Sequence, residues 1–168
     1  MESNELRALQ GPLKERYRDD PESALITLKA EAHLDAPGVS CRVDTGRAMV
    51  EAGLHPATGG TGLQVCSGDM LLEALAACAG VTLRAVATAL DIPVRGGSVI
   101  AEGDLDFRGT LGVSKEARVG FGAIRVMFHL ETDASTEQLA TLLRLTERYC
   151  VVLQTLRTAP VVSLASVP

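Results

Sequence analysis

SGDMLLEALAACAGVTLRAVATAL, residues 67–90, reads as a single long helix and decides the fold. Ser67 is able to cap its first turn, and Asp69 stands where a negative charge is favourable at the positive helix end. Apolar residues then occupy nearly every face, interrupted only by Glu73 and Arg84. A helix that is apolar all round is normally buried on all sides. No uncharged run of spanning length exists to make it a membrane segment. It is therefore expected to be the central helix of the fold, entered through a loop from Gly53 to Gly62 that holds four glycines and a proline.

Upstream, from Ala24, the pattern has period two. Ile26, Leu28, Ala30, Ala32 and Leu34 lie on one side, with Thr27, Lys29, Glu31 and His33 on the other. The residues from Asp35 to Gly38 turn the chain. Val39, Cys41 and Val43 then alternate with Ser40, Arg42 and Asp44 as an antiparallel partner, pointing Cys41 inward. Residues 1–20 carry Leu6, Leu9, Leu13 and Tyr17 at helical spacing, but Gly11 and Pro12 interrupt it. This predicts a broken helical arm over 1–20 and one domain over 21–168.

Downstream, Asp91, Ile92 and Pro93 end the long helix. Val99, Ala101, Leu105 and Phe107 alternate with Glu102, Asp104, Asp106 and Arg108 in a long strand. Ile124, Val126, Phe128 and Leu130 do the same in a second. Ser135 or Thr136 can cap a helix running to about Tyr149, with Leu139, Leu142, Leu143 and Leu145 on its buried side. A short apolar segment from Cys150 to Leu156 and a final strand near Val161 complete an α+β layout, strands segregated from helices.

The chain has 168 residues, the size of one ordinary domain. Apolar residues make up 46% of it but aromatic residues only 3%, so packing relies on Ala, Val and Leu. A formal charge of -5 argues against a nucleic-acid surface, which needs clustered Lys and Arg. The polar start, MESNELRALQGPLKERYRDD, has no apolar stretch of the kind a secretory signal requires. The expectation is a soluble cytoplasmic protein, without membrane or nucleic-acid partners.

Four cysteines stand at 41, 66, 78 and 150, without a CxxC pair or the spacing of a structural zinc site. In a reducing compartment an even count does not imply structural disulfides. For each thiol the bland reading is a small buried hydrophobe, and for Cys78 among its alanines that reading is strong on position alone. Cys66 lies just before the helix start, where amide dipoles can lower a thiol pKa. His33, His55 and His129 fall on polar strand faces or in the glycine loop and read as surface residues.

Two separate segments carry a resemblance. DMLLEALAAC, from Asp69 to Cys78, and ERYCVVLQTL, from Glu147 to Leu156, resemble the two motifs of the OsmC and organic hydroperoxide resistance (Ohr) superfamily. In that superfamily an acidic residue precedes a cysteine on an Ala/Gly/Leu-rich helix, and a second cysteine follows a charged helix. The resemblance spans roughly residues 24–167. It implies an OsmC-like intertwined homodimer, with two long central helices packed against antiparallel-rich sheets. It further implies a thiol-dependent peroxidase in which Cys78 attacks an organic hydroperoxide and Cys150 condenses with the resulting sulfenic acid. An external dithiol of lipoyl type would reset the pair, without metal or organic cofactor. Asp69 takes the place of the family's acidic residue.

The departures are specific. Relatives usually carry Glu where this chain has Asp69. Nine residues of helix span roughly 13 Å, so Asp69 reaches Cys78 only through a bridging Arg or the fold's return, and Glu73 is a rival. Arg42 and Arg47 are the nearest candidates by order for the Arg that holds the thiolate. Many relatives have Pro directly after the second cysteine, whereas Val151 stands here. The alternative from another class is a non-enzymatic stress protein of the same fold, a redox sensor or small-ligand binder.

Overall fold

The computed structural model describes residues 3–5, 8, 19, 31–33, 40–44, 49–111 and 115–160. Most of the expected 1–20 arm, the turn at 35–38, Arg47 and the strand near Val161 lie outside them. Strands β1 (Glu31–His33) and β2 (Ser40–Asp44) pair antiparallel, Ala32 opposite Val43, as the alternation predicts. A third strand, β3 (Met49–Gly53), pairs antiparallel with β2, placing Cys41 opposite Ala52. The sequence reading left β3 out, because five residues ending in a glycine loop offer little period to read. β4 (Val65–Cys66) joins β3 in parallel and closes a sheet of order β1-β2-β3-β4.

The glycine loop contains a short 3-10 turn, Pro56–Thr58. His55 caps it, its Nδ1 accepting from the Ala57 amide at 3.0 Å while its ring stacks on Phe107. His55 thus stays at the surface, where it also fixes the turn.

The long helix α1 spans Ser67–Ala89. Its N-cap is Cys66, without a side-chain cap bond, so Ser67 is the first helical residue and not the cap. At the other end Asp91 adopts a left-handed φ of 53°. The Ile92 amide returns to the Ala87 carbonyl at 2.9 Å, and that of Asp91 to Thr88 at 3.3 Å. These are the two bonds of a Schellman stop, sealed by burial of Ile92 beside Leu83 and Ala87.

β5 (Gly96–Leu105) and β6 (Phe121–Glu131) form a two-stranded antiparallel sheet with an irregularity between Asp104 and Leu105. Gly97, at φ 136°, is required where the strands approach, since a Cβ there would lie 2.0 Å from the His129 carbonyl oxygen. Val99, Ala101, Ile124 and Val126 face the core. On the wet face Arg125 forks onto Asp104 and also reaches Glu102. Phe107, expected at the end of the strand, instead opens a short helix α2 (Phe107–Thr110).

Helix α3 (Thr136–Tyr149) begins at Ser135, whose hydroxyl accepts from the Gln138 amide while Gln138 reaches back, a capping box. Leu142 and Thr146 form its buried line, whereas Leu143 is 42% exposed, contrary to the expectation for that position. A tight break at Cys150 leads into α4 (Val151–Thr155).

Two core clusters lie along α1. One joins Leu83, Ala87, Ile92 and Leu142; the other joins Leu75, Ala79 and Cys150. The four buried positions of α1, Leu75, Ala79, Leu83 and Ala87, recur every fourth residue and trace one stripe. The expectation that the helix is buried on all sides is therefore met on one side only within the single chain. One two-stranded sheet with α3 and α4 covers one flank, and on another Val81 is 72% exposed and Leu71 36%. By length and composition α1 could cross a membrane, but its buried stripe packs on the sheet and on α3 as a core helix does.

Candidate active site

Cys78 stands midway along α1, one position before the buried Ala79, and remains partly exposed. Cys150 is the joint between α3 and α4 and is 1% exposed. The fold brings these distant residues together: both thiols are free and hydrogen-bonded to each other. Cys150 is held from both sides, its amide donating to the Thr146 carbonyl and its carbonyl accepting from the Gln154 amide.

The electrostatics differ between the two sulfurs. Burial by itself would raise the Cys78 pKa. The Val152 amide, the Cys150 thiol, the Thr82 hydroxyl and the Val151 amide all hydrogen-bond its sulfur, and together they draw it below the ordinary thiol value. Two of these donors are the first amides of α4, which have no partner within that helix. Cys150 moves the other way: burial raises its pKa, and donation of its S–H to Cys78 raises it further, against the opposing Leu153 and Val152 amides. The pair is thus polarised, with Cys78 the readier thiolate and Cys150 the retained thiol.

A cavity of about 600 Å³ lies between α1, β6, α3 and α4. Its walls are largely apolar, with Leu75, Ile124, Phe128 and Leu153 among them, and Cys150 contributes to the lining while Cys78 does not. Arg118, Glu147 and Arg157 stand on the same cavity. Arg157 is paired with Glu147 at 2.6 Å.

Asp69 sits exposed in the first turn of α1, favourably placed against the helix dipole, and among the described residues no hydrogen bond or ion pair joins it to the thiols. Glu73 is exposed on the same helix. Arg42 lies in β2, where only its backbone is described. Cys66 is the N-cap of α1, away from the pair, and Cys41 lies in β2. Sequence reasoning missed Thr82, which lies four residues and so one helical turn after Cys78, a spacing that could have found it. The amides of Val151 and Val152 carried no side-chain signal at all.

The structure thus sets a pair of free thiols, one from a long core helix and one from a helix–helix joint, on an α+β scaffold. The profile of OsmC-like proteins matches residues 60–165, more than half of the sequence, and the chain belongs to that family. Solved structures agree in fold. An OsmC-like protein from Mycoplasma pneumoniae superposes with a TM-score of 0.65 at 16% identity, covering 79% of this chain and 88% of that one. An organic hydroperoxide resistance protein OsmC from Legionella pneumophila gives 0.58 at 21% identity, over 79% and 90% of the two chains. The organic hydroperoxide resistance protein OhrB of Bacillus subtilis gives 0.52 at 22%, over 79% and 91%. A comparison with curated proteins finds no match.

Proposed function

We propose that this chain is a thiol-dependent peroxidase that reduces organic hydroperoxides through a two-cysteine cycle, working as a homodimer in a reducing compartment such as the cytoplasm. The observation that carries the reading is the hydrogen-bonded, oppositely polarised pair of Cys78 and Cys150. The Cys78 thiolate attacks the terminal oxygen of a hydroperoxide, breaking the O–O bond and giving a sulfenic acid and an alkoxide that leaves as the alcohol. Cys150 then attacks the Cys78 sulfur, expelling the hydroxyl as water and forming a disulfide. An external dithiol returns both thiols by exchange. Asp69 enters this scheme through a bridging cation or a second copy of the chain, since its own helix holds it away from the sulfur.

The exposed apolar flank of α1 around Leu71 and Val81 supports the dimer. The test is stoichiometric. With cumene hydroperoxide and excess dihydrolipoamide, the protein is expected to consume many equivalents of peroxide per chain. Consumption that stops near one equivalent would make it a sensor instead of a peroxidase.

A further inference from the structure

The segment from Thr136 to Ala159 contains neither glycine nor proline, so no residue in it forbids one continuous helix. The chain nevertheless breaks at Cys150, where φ is -71° and ψ 107°. The break redirects two donors. In a continuous helix the Val151 amide would bond the Glu147 carbonyl, and the Val152 amide the Arg148 carbonyl. Here both amides bond the Cys78 sulfur instead. Their departure leaves carbonyls at the end of α3 in need of a donor.

The Glu147 carbonyl finds one in a side chain. Gln154, on α4, donates to it from Nε2 at 2.7 Å. The orientation of that carboxamide follows from its partners, because the carbonyl can only accept and the Arg157 guanidinium, 3.4 Å from Gln154 Oε1, can only donate. Arg157 also meets the Glu147 carboxylate, but the two side chains are 58% and 59% exposed, and such a pair contributes little by itself. In a straight helix residue 154 would stand two turns beyond residue 147, roughly 10 Å along the axis, and the carbonyl would already be occupied. The Gln154 bond thus belongs to the bent chain.

We propose that Gln154 is a positioning residue for Cys78: by occupying the Glu147 carbonyl in place of the Val151 amide, it keeps α3 and α4 from joining and leaves the Val151 and Val152 amides aimed at the Cys78 sulfur. The inference rests on the reading of Cys78 as the reacting thiolate and says what holds its donors in place. The Gln154 carboxamide bonds Glu147 and Arg157, so it acts on the sulfur through the backbone. Without that side chain the Glu147 carbonyl is open to the Val151 amide. The helix then closes through Cys150, and the thiolate loses donors to the α3 ladder.

The experiment uses the full, reduced chain with iodoacetamide as the probe, read at Cys78 by peptide mass spectrometry across pH, so that no peroxide chemistry enters. Gln154→Met keeps the length and helix propensity of the side chain and removes the donor. It should displace the pH profile of Cys78 alkylation upward and slow the reaction at neutral pH roughly two- to tenfold. Val151→Pro separates positioning from plain stability, because proline has no amide to offer the Glu147 carbonyl and holds the break open by itself. Adding Gln154→Met to Val151→Pro should therefore leave the Cys78 profile where Val151→Pro alone puts it. An unshifted Gln154→Met profile, or the same shift in both backgrounds, overturns the proposal. The expected shifts in a chain that consumes no peroxide support the positioning role and overturn the peroxidase reading; peroxide turnover with an unshifted Gln154→Met profile does the reverse.

Discussion

Cys150 donates its S–H to the sulfur of Cys78, and this one bond stabilises a thiolate on Cys78 while holding the proton on Cys150. The two residues lie 72 positions apart in the sequence. They meet because α1 and the α3–α4 joint pack into the same core cluster, Leu75, Ala79 and Cys150.

The first expected consequence is unequal damage on mutation. Cys78→Ser should abolish peroxide consumption. Cys150→Ser should retain one turnover and then accumulate sulfenic or sulfinic acid at position 78, since nothing condenses with the first oxidation product. Peroxide consumed per chain, with thiol occupancy measured at the end, checks both. A Cys78→Ser protein that still turns over would remove Cys78 from the mechanism.

The second concerns pH. With the folded Cys78 pKa lowered, the thiolate is already present below the ordinary thiol range of about 8.5, so alkylation at Cys78 should rise at lower pH than alkylation at Cys150. The linkage signs are opposite. For Cys78, stabilisation is fully present above the unfolded-state value and is lost as pH falls through the lowered folded value. For Cys150, it is present below the unfolded-state value and is lost as pH rises through the raised folded value. Competitive iodoacetamide labelling across pH, read peptide by peptide, measures the order of the two inflections. Coincident inflections would contradict the polarisation.

Much of this arrangement was legible in the sequence, and the division follows physical range. The period-two runs gave β5 and β6, and the capping signature at Ser135 gave α3, because each is a local pattern whose side chains report their own environment. The two cysteines stood out through family resemblance. What escaped was set by neighbours distant in sequence or by backbone. Thr82 matters only through the sulfur that lies beside it. The amides of Val151 and Val152 are invisible to side-chain reasoning. Leu143 was expected to be buried because leucines cluster on α3, but the fold leaves it on a cavity wall.

The third prediction follows from the uncovered flank of α1. Val81 is 72% exposed in the single chain, and covering such a patch is favourable by about 25 cal/mol for each square ångström. Val81→Asp should therefore weaken self-association and lower the melting temperature, whereas in a chain that functions alone it would be nearly neutral. Sedimentation at micromolar concentration checks this. A folded wild-type monomer under those conditions would contradict the dimer.

The last prediction uses Val151, which stands where many relatives carry proline. Its amide is the first of α4 and donates to the Cys78 sulfur, a bond proline cannot make. The backbone would accept the change. Cys150 is extended, with φ -71° and ψ 107°, as a residue before proline prefers, and the first helical position is where proline is best tolerated. Val151→Pro should thus fold normally while removing one donor from the thiolate. The sign is definite: with less stabilisation of the charged form, the Cys78 pKa rises, and peroxide reduction at neutral pH slows by roughly two- to tenfold. Raising the pH should recover the lost rate, because the thiolate is then formed without that bond. Val151→Ala keeps the amide and serves as the control for the lost side chain. A Val151→Pro protein with an unchanged pH–rate profile would mean that the α4 amide contributes nothing to Cys78.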